Sequence, residues 1–413
     1  MSGIIHHAPV KQPFFTKGVK ILIALLAVGL VAAAYRFVFG LSAATNLNNQ
    51  YPWGIWIAID VACGVALAAG GFTTAALAHI FHRQRYEAVV RPALLTAMLG
   101  YTFVPLALLA DLGRYYNLWH PMLPSMWQGN SVLFEVGVCV ATYTTVLYCE
   151  FAPVVCERFI GRVQLPGALS GLNGVVDLVL RLAQTTLSRI MAVFIIMGVL
   201  LSCMHQSSLG ALMLIAPYKV NALWYTPILP LLFLMSAMMV GYPMVIFESM
   251  VASLSFGRKP EMEVLTPLSR ITVFFLGLYG AAKISDLVIR GVFDRVFAFD
   301  GPALALIAEL GLGVALPLAI LSSSRMRRSA TGLFTAASLI IGGVVLNRVN
   351  VFLVAYRPPF AESVYVPKCT EILVTIGMVA AIMLLYRVAA TILPVLPAEE
   401  THGASAKPAL ERA

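Results

Sequence analysis

The stretch 101-YTFVPLALLADLGRYYNLWHPMLPSMWQGNSVLFE-135 decides how the chain is read. An apolar run ends at Leu109 and Ala110, a polar aromatic segment follows, and a second apolar run opens at Val132. This is one transmembrane helix leaving a bilayer, a short hairpin, and the next helix going back in. Asp111, Arg114 and Glu135 lie at or just inside the two boundaries. A charge at that depth is costly unless it has a partner or a task, so the stretch reads as the nucleus of a site.

Outward from the hairpin the same pattern repeats. The 413 residues are 60% hydrophobic and 11% charged, with a mean hydropathy of +0.87, which excludes a soluble globular protein. Ten apolar segments of bilayer length follow one another, at about 19–40, 52–81, 91–113, 131–155, 188–212, 225–254, 270–292, 302–322, 331–354 and 370–394. The fold class is therefore an all-α polytopic membrane protein. The first run follows a basic flank but is too long for a signal-peptide core, so it reads as an uncleaved first span.

The formal charge of +9 comes from 28 Lys and Arg scattered between apolar runs, with no basic face interleaved with aromatics, which argues against nucleic acid. Most of them fall in the tails and in the loops that an even number of spans puts on one side: Lys11, Lys17, Lys20, Arg83, Arg85, Arg91, Arg158, Arg162, Arg258, Lys259, Arg325, Arg327 and Arg328 among them. The expectation is that both termini are cytoplasmic, in a bacterial inner membrane. The tails are 1–18 and 395–413. The connection Glu157–Leu187, with its Gly, Pro and Ser stretch, is the longest and lies inside.

Counting at about 1.5 Å per residue gives each polar residue a depth. Asp60 is eight residues past Pro52, about 12 Å below the outer surface. Trp53, Trp56, Asp60 and Gly64 share one face by α-helical spacing. Glu135 lies about 7 Å inside span four, and His205, about 24 Å beyond Arg189, is also in the outer half. The shared depth of Asp60, Glu135 and His205 favours a site over three unrelated packing roles. Asp111 with Arg114 at i,i+3 is equally a structural clasp at a helix end. Glu248, about 36 Å from Trp224 along span six, lies toward the cytoplasm, and Pro243 can kink that helix. Tyr101, near mid-bilayer, is either a hydroxyl relay or an aromatic core residue. On span seven Lys283, Asp286 and Arg290 read as an ion-paired face that Glu309, Asn347 and Arg348 extend, without chemistry of their own.

The six cysteines form no CxxC, so no iron–sulfur cluster is expected. Of the seven histidines none makes a facing pair at one depth, so no haem is expected either. A quinone needs an apolar slot, aromatic walls and one or two polar groups. The outer carboxylates beside Trp53, Trp56, Tyr115, Tyr116 and Trp127 supply these, and buried carboxylates can deliver protons to it. An ion or solute transporter would use mid-membrane carboxylates too, and a passive anchor is the third possibility.

The segments YPWGIWIAID, VRPALLTAMLGY, DLGRYYNLWHP, NSVLFEVGVC, EFAPVVCERF, MHQSSLGALM and MVIFES resemble the NrfD/PsrC family of quinone-interacting membrane subunits, with similarity along the whole chain. Within the family the resemblance points to the membrane subunit of hydrogenase-2-type NiFe hydrogenases. It implies two four-helix bundles, 52–212 holding the quinone and 225–354, flanked by helices 19–40 and 370–394. It places proton-handling residues at Tyr101, Glu135, His205 and Glu248; the reading of the residues adds Asp60, Asp111, Arg114, Trp53, Trp56 and Tyr115 as the groups shaping the pocket for menaquinone or ubiquinone. It implies a quinone-linked oxidoreductase whose metals lie elsewhere: in a periplasmic ferredoxin-like iron–sulfur subunit and the small and large hydrogenase subunits. Related subunits serve sulfur-compound and multihaem cytochrome oxidoreductases.

Overall fold

A computed structural model describes residues 6–398; the remainder of the two tails, 1–5 and 399–413, lies outside the described residues. Among the described residues ten helices are long and apolar enough to cross a membrane: α1 Lys17–Phe39, α2 Trp56–Ile80, α3 Gln84–Asp111, α4 Val132–Phe159, α5 Leu169–Leu214, α6 Leu229–Ser255, α7 Met262–Ile289, α8 Gly301–Ser322, α9 Ala330–Val354 and α10 Cys369–Ile392. Each apolar run of the sequence becomes one of them, because in lipid a helix satisfies its own backbone polar groups. Four begin on a side-chain cap, with Thr16, Ser131, Asp300 and Ser329 accepting from backbone N–H groups of their first turns.

The two ends of the chain meet on one face. His7–Ala8 pairs antiparallel with Leu396–Pro397, and Arg387 reaches from α10 to Ser255 of α6 and the Pro13 carbonyl. This is the terminal face; the opposite end, which carries the loop between α3 and α4, is the hairpin face. There the α5–α6 and α9–α10 connections are joined by an antiparallel bridge between Val220 and Tyr356.

In the packing, α1 lies along α10, α4 along α5, and α6 touches α5, α7 and α9 while also receiving the middle of α2. Two contacts are so close that only glycine fits. A Cβ on Gly29 of α1 would lie 2.4 Å from Gly377 Cα of α10, and one on Gly343 of α9 would lie 2.2 Å from Gly313 Cα of α8. Small residues that let backbones touch are how membrane helices gain dispersion contact without a hydrophobic driving force between them.

Two features differ from the sequence reading. The connection after α4 is shorter than Glu157–Leu187, since helix resumes at Asn173 and runs 42 residues to Leu214. That is about 63 Å, twice the hydrocarbon thickness of about 30 Å, so α5 extends well past the membrane on the terminal face. The signal was present: Val175 to Arg189 contains neither Gly nor Pro. Second, several spans contain π-helical turns, at Trp56–Cys63 and Ala76–Ile80 of α2, Gly311–Ala315 of α8 and Asn350–Val354 of α9.

The glycine contact between α8 and α9 yields a paired prediction. Gly343→Ala should cost about 1–3 kcal/mol by overpacking and lower the thermal midpoint of the detergent-solubilised protein. Its neighbour Gly342, where an added methyl would meet nothing within 4 Å, should accept Ala with an unchanged or higher midpoint, because Ala is the better helix former.

Candidate functional site

The long helix α5 organises a polar centre inside the first half of the chain. His205 is fully buried. Its Nε2 hydrogen-bonds the Tyr101 hydroxyl of α3, and its Nδ1 lies 2.6 Å from the Leu201 carbonyl one turn back. Both ring nitrogens are thus engaged within the protein. Tyr143 of α4 completes an aromatic box, its ring centroid 4.5 Å from that of Tyr101 and 5.4 Å from that of His205. Gln206, also fully buried, donates to the Val65 carbonyl of α2 at 2.8 Å and holds α5 in this register.

One turn from His205 toward the hairpin face, Ser208 donates to Glu135 Oε1 at 2.5 Å and lies 3.0 Å from the Met204 carbonyl. Glu135 is in the first turn of α4, behind the Ser131 cap, where the unsatisfied N–H groups and the helix dipole favour a carboxylate. It is exposed at the helix surface. In the same turn Phe134 packs on Trp127 with ring centroids 6.0 Å apart. A carboxylate and a hydroxyl thus sit among apolar and aromatic side chains, and the neighbouring turn of α5 leads inward to His205 and Tyr101.

Asp60, Asp111 and Trp56 are not part of this centre. Asp60 accepts from Thr375 of α10 at 2.5 Å, and Trp56 donates through Nε1 to the Glu371 carbonyl at 3.0 Å. Glu371, fully buried, also takes the Tyr365 hydroxyl and the Asn46 and Lys368 backbone N–H groups. Depth along α2 put Asp60 level with Glu135 and His205, but azimuth turns it toward α10, so the shared depth spans two separate polar groups. Trp53 stands outside both, its ring against Phe352 and Tyr356.

The expected clasp between Asp111 and Arg114 does not form either. Helix α3 ends at Asp111 and the chain turns extended at Leu112, which removes the i,i+3 geometry; Arg114 is exposed. The cation at that helix end is Arg36 of α1, which donates to the Ala110 and Leu112 carbonyls at 2.6 Å each. Tyr115 lies under the same guanidinium, 5.5 Å from ring centroid to Cζ. Asp111 Oδ1 is buried without a hydrogen-bond partner.

Toward the terminal face are two further carboxylates. Glu248 of α6 is buried, with Oε1 unpartnered and Thr96 of α3 and Tyr386 of α10 facing it. Glu150 of α4, which sequence reading passed over within EFAPVVCERF, is also buried. A Cβ on Gly198 of α5 would lie 2.9 Å from Glu150 Oε1 and 3.5 Å from Tyr143 Cε2, so Glu150 sits just beneath the aromatic box. The signal for it was a carboxylate seven residues, two helical turns, past Tyr143 on the same face.

The second half of the chain holds a polar network with a different character. Glu309 of α8 receives Trp224 Nε1, Asn347 Nδ2 and Asn350 Nδ2 at 2.8–2.9 Å and pairs with Lys283 at 3.6 Å. Arg348 donates to Asn347 and Ser236 and lies over the Phe233 ring at 3.8 Å. Lys283 thus pairs across to α8 rather than along α7 with Asp286, which is bound instead by Arg290 and Thr226. Among the described residues no group of three or more His, Cys, Asp and Glu could hold a metal ion.

Comparison with known proteins accords with this architecture. The family model described as polysulphide reductase, NrfD, matches residues 43–358. A protein of Nitratidesulfovibrio vulgaris is 39% identical over 402 residues, 95% of this chain and 97% of the relative. The probable Ni/Fe-hydrogenase 2 b-type cytochrome subunit of Escherichia coli is 34% identical over 392 residues, 94% of this chain and 95% of that one. The menaquinone reductase integral membrane subunit of Nitratidesulfovibrio vulgaris is 26% identical, covering 89% and 88%. By the span of the family match and the identity to these relatives, the chain belongs to the NrfD family of membrane subunits.

Proposed function

We propose that the chain is the quinone-interacting membrane subunit of a respiratory oxidoreductase, with a NiFe hydrogenase as its partner. It would pass electrons between partner iron–sulfur clusters and the quinone pool with coupled proton transfer. The observation that carries the reading is the pair of polar contacts one turn apart on α5, exposed Glu135 with Ser208 and, three residues back, buried His205 with Tyr101. A carboxylate at the membrane surface of the protein, backed by groups that can each give and take a proton, is what quinone reduction or quinol oxidation requires.

The residues fit menaquinone or ubiquinone as substrate. The Glu135 and Ser208 oxygens lie side by side for a carbonyl or hydroxyl head group, and Phe134 and Trp127 offer apolar surface. In this reading Glu135 and His205 are the proximal proton groups, Tyr101 relays behind them, and Glu248 belongs to a path from the terminal face. Asp60 and Asp111 support the neighbouring helices instead. The orientation follows from the Lys and Arg asymmetry: the terminal face is cytoplasmic and the hairpin face periplasmic, in the inner membrane. The hairpin face is then where a ferredoxin-like iron–sulfur subunit docks, linked to the small and large hydrogenase subunits. The helices 52–212 and 225–354 are read as two bundles, the first carrying the chemistry.

The hydrogenase assignment rests on the Escherichia coli relative's name. Other relatives are named as a selenate reductase subunit and a putative dimethyl sulfoxide reductase membrane subunit, so another oxidoreductase partner is the alternative. It is decided by which soluble subunits copurify with the chain.

Glu135→Gln in the assembled complex should lower quinone-linked turnover by about 100-fold or more, the scale of a lost proton donor. Dye-linked turnover of the soluble partner, which bypasses this chain, should stay at the parent level. Parent-level quinone turnover in that variant would remove the assignment. Asp60→Asn, by contrast, should leave quinone turnover near the parent value while lowering thermal stability, because Asp60 binds Thr375 away from α5; a loss matching that of Glu135→Gln would put α10 into the site.

A further inference from the structure

At the terminal face α3, α6, α10 and the turn between α6 and α7 enclose a small cavity of about 30 Å³, lined by Glu248, Arg258, Lys259, Glu261 and Tyr386 and floored by Leu396 and Pro397. Three polar atoms of its lining are buried without a hydrogen-bond partner: Glu248 Oε1, Tyr386 Oη and Glu261 Oε2. They come from α6, the turn that follows it, and α10. Other buried oxygens of this protein, such as Asp111 Oδ1, stand unpartnered singly, whereas Glu309 holds three donors. Three partnerless oxygens around one void therefore need an explanation. The void has room for a water, and a buried water commonly makes two to four hydrogen bonds to otherwise unsatisfied groups.

The surroundings are rigid, which suits a fixed water. Arg387 ties α10 to α6 and to the N-terminal segment, Val10 N–H bonds the Ala390 carbonyl, and the paired terminal strands close the floor. Arg258 reaches the Pro397 carbonyl across it. Burial pushes the Glu261 carboxyl above the ordinary carboxylate range, with Arg258 pulling the other way, so the group sits closer to the range where it can both take and release a proton.

We propose that this cavity is a water site that passes protons between the terminal face and Glu248, with Glu261 at its mouth and the Tyr386 hydroxyl as the bridge. A proton from bulk solvent protonates the Glu261 carboxylate. The water accepts it and releases another to the Tyr386 oxygen, whose own proton moves on to Glu248, so that each group ends one step displaced and none is consumed. From Glu248 the facing Thr96 of α3 is five residues from Tyr101, about 7.5 Å along the helix, which aims the path at the aromatic box. The proposal rests on the reading of Glu248 as a proton group of a quinone-linked complex. It adds Glu261 and Tyr386 as residues for that task.

The test uses the complete complex in proteoliposomes, with quinone-linked turnover and proton uptake from the terminal face measured together. Glu261→Gln and Tyr386→Phe should each lower both at least tenfold, with dye-linked activity intact. Millimolar azide or acetate, small enough to carry protons past a broken step, should restore turnover in Glu261→Gln. Ala252→Met, which fills the cavity while leaving every titratable residue in place, should lower turnover too. Glu263→Gln, a change at an exposed neighbour on the same turn, should do nothing. Parent-level turnover in the Glu261→Gln/Tyr386→Phe double variant, with Glu248→Gln inactive, overturns the water site and leaves the wider reading standing. Loss of turnover that no small acid restores, together with a lowered thermal midpoint, makes Glu261 a structural residue and equally overturns it. Parent-level turnover in both Glu248→Gln and Glu135→Gln would instead overturn the wider reading.

Discussion

Inside a bilayer a polar group has no water to fall back on, and the fold of this protein follows from how its buried charges meet that constraint. The clearest case is Arg348. Its guanidinium, fully buried, binds Asn347 and Ser236 and covers the Phe233 ring, while Asn347 hands the connection to Glu309, which Lys283 faces. One network thereby fixes α6, α7, α8 and α9 against one another. Arg36 does the same for α1, binding the last carbonyls of α3, and Gln206 does it for α5 against α2. Truncating one member of such a network leaves the rest buried and unpaired, a loss of about 3–5 kcal/mol.

The same constraint separates the groups that hold the fold from those available for chemistry. Glu309 and Glu371 are each bound by donors from several directions, which occupy both of their carboxylate oxygens. Glu135 has one donor on one oxygen and an open side. Glu248 has an oxygen with none. His205 donates from Nδ1 to the Leu201 carbonyl, so its Nε2 accepts from the Tyr101 hydroxyl. Glu135, His205 and Tyr101 fall along α5 and Glu248 at the base of α6, whereas the saturated carboxylates lie on α8 and at the start of α10.

Much of this architecture is legible in the sequence, for a physical reason: ten uninterrupted apolar runs can become nothing but spans, and depth follows from a constant rise per residue. Azimuth is harder. The face assigned to Trp53, Trp56, Asp60 and Gly64 assumes 3.6 residues per turn, but Trp56–Cys63 is π-helical and Trp53 precedes the helix. Trp56 and Asp60 both turn to α10, while a Cβ on Gly64 would meet Val104 of α3. Partners are harder still. Nothing local announces that Lys283 reaches Glu309 rather than Asp286, or that Arg36 displaces Arg114 at the end of α3. Glu371 escapes notice because its position two residues inside a span looks like a boundary, and its partners Tyr365, Asn46 and Lys368 come from loops.

The hairpin 101–135 thus turns out to supply the two ends of one line rather than a compact site. Tyr101 faces His205 in the interior and Glu135 opens at the surface, and neither touches the other; α5 connects them by presenting His205 and Ser208 three residues apart, one turn along its axis. Their linkage therefore depends on the axial position of α5, which the bond from Gln206 to Val65 sets. That bond ends on α2 in the straight segment between its two π-helical stretches. Asp60 and Trp56, although outside the polar line, anchor the π-helical part of α2 to α10 and so hold the surface against which α5 finds its register. A residue can thus belong to the scaffold around a site while sharing no contact with it, and this structural role is the one the geometry leaves for the carboxylate that depth alone had placed inside.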